Sequence, residues 1–337
     1  MDFSRFDHDE FPGSKVSNKP KVSVCLITYK HENYIEKCLD SILEQQTSFD
    51  FEIVVGEDHS PDNTAKILEA YAQKHPEKIR AFIRHKNIGA KLNFLHAFFA
   101  CKGDYIVHIE GDDYFCDPNK LQTQVEFLEQ NPSYSACFHN AIMQYEDEIA
   151  VENHNINPPN QKAIIHSEDF LQEKETWFMA TASVMMRRKF VETLPEWFLK
   201  SKSGDIPLYV ILAEQGPIGY IDKVMTVYRR HLEGMSFTDS NHQLIFLQNR
   251  VFMYSKIGEY TKGKYKPLIN SILGDYYLMY LDTHELKNNW IKKFYFFLKA
   301  FILLPKGSNK KLKEVFKSSL LTNFLKKILK IYLIFRR

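Results

Sequence analysis

An α/β fold, a parallel sheet with helices on both faces, is what the first half of the chain predicts, on three observations. Apolar runs of strand length alternate with helical patterns, the mark of repeated strand–helix units. The runs are almost continuously apolar, as strands covered on both faces are. Unusual polar residues collect where the runs end, and in such sheets ligands bind beyond the carboxyl ends of the strands.

The elements follow in order. Val22–Tyr29 (VSVCLITY) is a first strand, and Tyr34–Leu43 has helical spacing. Phe51–Val55 is a second strand, with a helix over Asp62–Lys74 that ends near Pro76. Lys78–Arg84 and Leu92–Ala100 repeat the unit, and Asp104–Ile109 runs into Glu110-Gly111-Asp112-Asp113. The second half is less regular. Leu121–Glu129 reads as a helix, Tyr134–Met143 as a strand and the polar Gln144–Gln161 as a surface loop. Thr181–Met186 resembles a buried strand, Gly204–Gln215 a helix opening near Asp205, and Ile218–Arg230 one or two short strands. Beyond about Asn241 the pattern is helical, while residues 1–20 lack periodicity and read as a lead-in.

A formal net charge of +2 hides a division. From Leu286 onward there are 14 basic residues against one acid, Glu314, so the tail is +13 and residues 1–285 are −11. With 44% hydrophobic and 14% aromatic residues, the chain is not disordered. Its 13 Gly and 13 Pro, without a fixed period, exclude collagen-like and solenoid architectures. Met1–Glu10 is polar and acidic, unlike a secretory signal, so a cytoplasmic body is expected. Five cysteines without C-x-x-C spacing argue against a disulfide framework and a structural zinc site. The longest apolar stretch, Phe294–Leu304, is broken by Lys299, and a spanning helix needs about 20 apolar residues.

Two acidic clusters follow separate strands: Glu57-Asp58-His59-Ser60-Pro61-Asp62-Asn63-Thr64 and Glu110-Gly111-Asp112-Asp113. Asp62 suits a helix cap. Carboxylates gathered this densely repel one another unless solvent or a cation neutralises them, and a hard divalent ion holding carboxylates and phosphate oxygens is one solution. An acidic surface turn is the other. Lys91, after Asn87 and Gly89, either approaches a phosphate as a point charge or lies on a solvated helix face. Asp205, with Pro207 two residues on and an apolar helical run after it, has the pattern of an N-cap. His231 follows the last strand-like segment and reads as a surface or capping residue. The Glu175–Phe178 stretch, with Trp177, suits core packing or stacking on a sugar.

These segments together resemble the family 2 nucleotide-sugar glycosyltransferases of the GT-A fold. VSVCLITYKHENYIEKCLDSILEQ, FEIVVGEDHSPDNT, NIGAKLNF and GDYIVHIEGDDYFCDPNKLQTQVEFLEQNP carry the likeness over about Lys21 to Pro132, with weaker matches at SGDIPL and YRRH. The resemblance implies a mixed, mostly parallel sheet flanked by helices, with residues 21–240 as the GT-A domain and 241–337 as a helical extension. It implies that Thr28 and Tyr29 hold the donor base, and that Glu57 and Asp58 recognise the nucleoside. Asp112 becomes the ligand of a Mn²⁺ or Mg²⁺ ion bridging the donor diphosphate. Glu110 stands where the family's first Asp usually stands, and Asp113 is an acceptor behind it or a further ligand. His59 replaces the family's Gly, a departure that bears on the loop. Asp205 becomes the general base, a role for which Glu214 is the poorer candidate. His231, with Arg229 or Arg230, would contact the diphosphate or the metal.

Apolar residues from Leu312 to Phe335 fall close to helical spacing, with Lys313, Lys317, Lys326, Lys327 and Lys330 between them. Such a tail suits an anionic membrane surface, or packs on the body with a solvated face. Arg is scarce there and no nucleic-acid-binding fold accompanies it, so nucleic acid is not an expected partner. The expectation is a metal-dependent inverting transferase. It would be peripheral on the inner face of the membrane and would move a sugar from a nucleotide donor, a UDP-sugar, to a glycan or lipid-linked acceptor in surface polysaccharide synthesis. A non-catalytic nucleotide-sugar-binding or scaffold protein of the same fold is the alternative. A nucleotidyltransferase would need a Gly-rich loop where Thr28-Tyr29-Lys30-His31 has none.

Overall fold

The computed structural model describes residues 3, 6–146, 151–172, 178–232, 234, 244–286 and 289–305. The basic tail from Lys306, Trp177 and the segment 235–243 lie outside them.

The first element departs from the sequence reading. Residues His8–Phe11 (β1), inside the expected lead-in, pair antiparallel with Ile79–Arg84. The strand covers a sheet edge and is held by backbone bonds, so it needs no apolar alternation to form. Val22–Thr28 (β2), Phe51–Glu57 (β3), Ile79–Arg84 (β4) and Tyr105–Glu110 (β5) are the expected parallel strands, separated by helices Ile35–Leu43 (α1), Thr64–Lys74 (α2) and Ala90–Ala100 (α3). Every residue of β2 and β3 is buried, because both strands have partners on each edge and helices on each face. Val24, Leu26, Val55 and Val107 pack against Ile35, Cys38, Leu39 and Ile42 of α1, with α2 alongside. The four side chains of α1 recur at helical spacing, and burying each is worth about 1.5–3 kcal/mol. Helix α3 covers the other face. Its Asn93 comes so close to β3 that a Cβ on Gly56 would lie 2.5 Å from the Asn93 side-chain oxygen.

The chain continues through Tyr114–Phe115 (β6), Lys120–Gln130 (α4), Ala136–Tyr145 (β7), His154–Asn155 (β8), Ile164–Ile165 (β9), Met185–Arg187 (β10), Glu196–Lys200 (α5), Asp205–Ala213 (α6) and Ile218–Arg230 (β11). Among the described residues the strands run β1-β4-β3-β2-β5-β10-β7-β11-β6, with β8 on β7 and β9 on β11. The four longest pairings are parallel and the shorter ones antiparallel. Of the expected Thr181–Met186 strand only Met185 and Met186 fall in β10, which ends one residue further on at Arg187, since Thr181–Ser183 is a 3₁₀ turn. The apolar run there reports burial, which a turn shares with a strand. The expected Gln144–Gln161 loop contributes the end of β7 and the whole of β8. The segment Ile218–Arg230 is one strand with two register shifts.

The chain separates into two compact units. The first holds residues 1–166, 177–199 and 208–234, and the second 167–176, 200–207 and 235–337. The second contains Leu244–Tyr260 (α7), Lys266–Met279 (α8) and Trp290–Leu303 (α9); α8 and α9 pack through Leu278, Leu281, Phe297 and Phe301, and α7 packs through Leu247 with Tyr280 and Leu286. Among the described residues no helix is long and apolar enough to cross a membrane. All five cysteines are unpaired, and four of them are buried.

Candidate functional site

Three parallel strands end side by side. Thr28 on β2 lies in register with Glu57 on β3, and Ile27 with Glu110 on β5. Strand ends about 4.8 Å apart therefore bring Thr28, Glu57 and Glu110 to one rim. β4 reaches the same rim with Arg84.

The first acidic pair is buried and engaged. Glu57 accepts the backbone N–H groups of Ser60 at 2.7 Å and His59 at 3.0 Å. Asp58 accepts those of Ile88 at 2.8 Å and Gly89 at 2.9 Å. Each of the four oxygens thus holds a loop, and the Ser60 side chain also bonds Glu57. Burial raises the affinity of both carboxylates for a proton, against these bonds. His59, where the resemblance expects glycine, sits at φ +61°, and its Nδ1 bonds the Arg84 carbonyl at 3.2 Å. Two loop bonds to Glu57 and one to Arg84 hold a conformation that non-glycine residues seldom adopt. Asp62 takes the structural role. It accepts the Thr64 N–H at 3.1 Å and the Glu32 N–H at 3.2 Å, and α2 begins at Thr64.

The second cluster differs in what its oxygens meet. Asp112 Oδ2 lies 3.1 Å from His231 Nε2 and 3.7 Å from His31 Nε2. Oδ1 is buried without a hydrogen-bond partner among the described residues. Burial acts to raise the Asp112 pKa, but the His231 bond and the two imidazoles outweigh it and lower it. Asp113 Oδ1 accepts the Arg229 N–H at 2.9 Å, and burial, then Asp112 and Glu110, push its pKa well up. β11 runs antiparallel to β6, with Val227 opposite Tyr114, and this delivers Arg229 and His231 to the cluster. The Arg229 guanidinium bonds the Asp112 carbonyl at 3.1 Å and pairs with Glu146 at 3.2 Å. It also faces the rings of Tyr114 at 4.6 Å and Tyr34 at 5.1 Å. A Cβ on Gly111 would lie 2.7 Å from Thr28 Oγ1, so the turn between the carboxylates closes on β2 only as glycine.

Tyr29 is exposed at the rim. Lys91 is half-buried, its Nζ 3.6 Å from the centre of the Phe198 ring, which is not a solvated helix face. Asp205 is the exposed first residue of α6 and belongs to the second unit. Its assignment therefore rests on the resemblance and on a site favourable to negative charge, a helix N-terminus.

His31 escaped the sequence reading, while Arg84 stands in a strand-end segment, Arg84–Lys91, that the sequence marks for chemistry without giving this residue a role. His31 bonds Thr28 Oγ1 at 3.2 Å and faces Asp112, and its place just beyond the first strand was the available signal. Arg84 is buried, with Nη2 bonded to His96 Nδ1, while Nε and Nη1 have no partner among the described residues. Burial disfavours the charge of its guanidinium, and Asp58, then Glu57, favour it.

A one-carboxylate metal contact fits this geometry. Asp112 is ionised and has an unengaged oxygen, with an imidazole beside it. Among the described residues no group of three or more His, Cys, Asp or Glu could hold an ion alone. Magnesium-type ions commonly bind through one or two carboxylates, with phosphates and water completing the shell.

The family model for glycosyl transferase family 2 matches residues 23–194. An uncharacterized protein of Mycobacterium tuberculosis is 32% identical over 228 residues, covering 65% of this chain and 62% of that one. Chondroitin synthase of Escherichia coli is 28% identical over 271 residues, 78% of this chain and 36% of its own. The chain thus spans less than two thirds of the length of either relative. The structure of S. aureus TarS 1-349 in complex with UDP-GlcNAc superposes with a TM-score of 0.61, at 17% identity, over 88% of this chain and 87% of that one, which shows a shared fold.

Proposed function

The chain belongs to glycosyl transferase family 2 and has the GT-A fold, and we propose that it is a metal-dependent inverting glycosyltransferase using a UDP-sugar. The acceptor is a hydroxyl of a glycan or lipid-linked saccharide in surface polysaccharide assembly, at the inner face of the membrane. The observation that carries the reading is Asp112, an ionised buried carboxylate with one oxygen unengaged, on the rim that also presents Glu57 and Asp58. The UDP-GlcNAc complex of TarS supports the donor class, and chondroitin synthase the polysaccharide product. Residues 21–240 form the transferase domain, and 241–337 the helical extension with its membrane-facing tail.

The base side of the donor lies over Thr28 and Tyr29. Glu57 and Asp58 accept from the nucleoside, and Arg84 offers its unpartnered N–H groups beside them. Asp112, with His231 on its other oxygen, would hold Mn²⁺ or Mg²⁺. When bound, the ion supplies the positive charge that stabilises a departing diphosphate. Glu110 and Asp113 flank Asp112, and Arg229 fixes the turn that carries it. Lys91 adds a cation toward the phosphates. Asp205 takes the proton from the acceptor hydroxyl as its oxygen bonds the anomeric carbon and the bond to the nucleoside diphosphate breaks.

Calorimetric titration of UDP-sugars with Mn²⁺ or with chelator tests the donor half. Asp112→Asn should weaken Mn²⁺-dependent binding about tenfold or more. Asp205→Asn should keep binding and lose about 10²–10⁴ in turnover. Unchanged turnover in Asp205→Asn would remove it as base. Wild-type binding without turnover on any saccharide acceptor would point to a binding module instead.

A further inference from the structure

Helix α9 is apolar on two sides. One side belongs to the core of the second unit, where Phe297, Ala300, Phe301 and Leu304 are buried with Leu278 and Leu281. The other side is open: Ile291 is 63% exposed, Tyr295 52%, Leu298 39% and Ile302 75%. Steps of four, three and four residues place them on one stripe of a helix, about 16 Å long at 1.5 Å per residue. Lys292 and Lys299, seven residues apart, are exposed along one flank of this stripe, with Lys299 Nζ 5.5 Å from the Tyr295 ring centre. An aliphatic and aromatic stripe of this kind marks an interaction surface, because water is a poor neighbour for it.

We propose that this face of α9 lies on an anionic lipid surface. Ile291, Tyr295, Leu298 and Ile302 enter the boundary between headgroups and acyl chains, and Lys292 and Lys299 meet the phosphates. The inference deepens the membrane-facing part of the function proposed above and rests on it. Charge selects the occupant. From Leu286 to the end the chain has 14 basic residues and one acid, so its own tail and a second copy of α9 are both cationic. Either one laid on this face would set lysine against lysine, and the repulsion grows as water is excluded. An anionic bilayer complements the lysines and dissolves the apolar stripe. Beside the lysines the stripe offers aliphatic and aromatic groups with a single phenol hydroxyl, that of Tyr295, which is too few polar groups to orient a protein partner. The helix is too short to span, so it lies in the interface plane.

Co-sedimentation of the full chain with phosphatidylglycerol-containing and pure phosphatidylcholine vesicles tests this. Wild type should bind the anionic vesicles and release them as salt rises. A Leu298→Ser/Ile302→Ser variant, with the tail intact, should bind them about tenfold or more weakly, since two large apolar contacts are lost. Lys292→Glu/Lys299→Glu should weaken binding to anionic vesicles and leave the phosphatidylcholine control unchanged. Circular dichroism and UDP titration confirm that each variant is folded. If both variants bind as wild type does, this face is not the contact, while the tail's role stands. If wild type binds neither vesicle, this proposal and the peripheral-membrane reading both fail.

Discussion

Arg84 donates to Nδ1 of His96, and only a neutral imidazole can accept that bond. Burial, then the charges of Arg84 and His8, lower the His96 pKa to about 4. The unfolded chain binds a proton near 6.5 and the folded chain does not. The stability from neutral His96 is therefore complete above about pH 6.5 and is lost as pH falls toward 4. Urea unfolding of wild type and His96→Gln between pH 7 and 4.5 should show a smaller loss in the variant, and parallel losses would exclude His96 as a contributor. The acidic residues teach a related lesson. Glu57, Asp58 and Asp112 share a sequence signature, a carboxylate at a strand end. The tertiary structure separates them, because backbone N–H groups reach every oxygen of the first two and leave one oxygen of Asp112 unengaged.

The helices and strands that read most clearly from the sequence are those with a local cause. The repeat of apolar positions locates α1, and continuous apolar runs locate β2, β3 and β5. β1 and β10 read poorly because distant partners make them: β10 is a three-residue bridge between β5 and β7. Helix α4 shows an element defying its own composition. Lys120, at its first turn, is fully buried, bonds Gln124 at 2.7 Å and lies 4.2 Å from the Phe115 ring centre. Burial lowers its pKa to about 7. Such a lysine contributes its full stability only above the unfolded pKa of about 10.4, and that stability is lost as pH falls toward 7. Lys120→Met should therefore gain on the order of 1–3 kcal/mol over wild type near pH 7, less about 1 for the orphaned Gln124. The advantage should shrink toward pH 10, and an advantage flat with pH in denaturant titrations would contradict the buried-amine account.

On the scale of the molecule, the donor should act as a stabiliser of the fold that binds it. Free UDP with Mn²⁺ at a hundred times its dissociation constant adds about 2.7 kcal/mol to the folded state, and chelation should remove most of that. Thermal scans with UDP, Mn²⁺ and EDTA measure this, and equal shifts with and without chelator would contradict a metal at Asp112. By itself the sequence determined the α/β class, the strand ends that carry the candidate site, the family resemblance and the charge division. All of these are local patterns of polarity and spacing along the chain. Only the tertiary structure decided that His31 and His231 flank Asp112 and that Glu57 and Asp58 are bound up in loops. It also decided that Lys91 lies on Phe198 and that α9 keeps an apolar face in water. Those facts depend on which distant segments pack together, through strand pairings such as β11 on β6 that join residues more than a hundred positions apart. Spacing along the chain carries no record of such pairings, because they are selected by the free energy of the whole packed core.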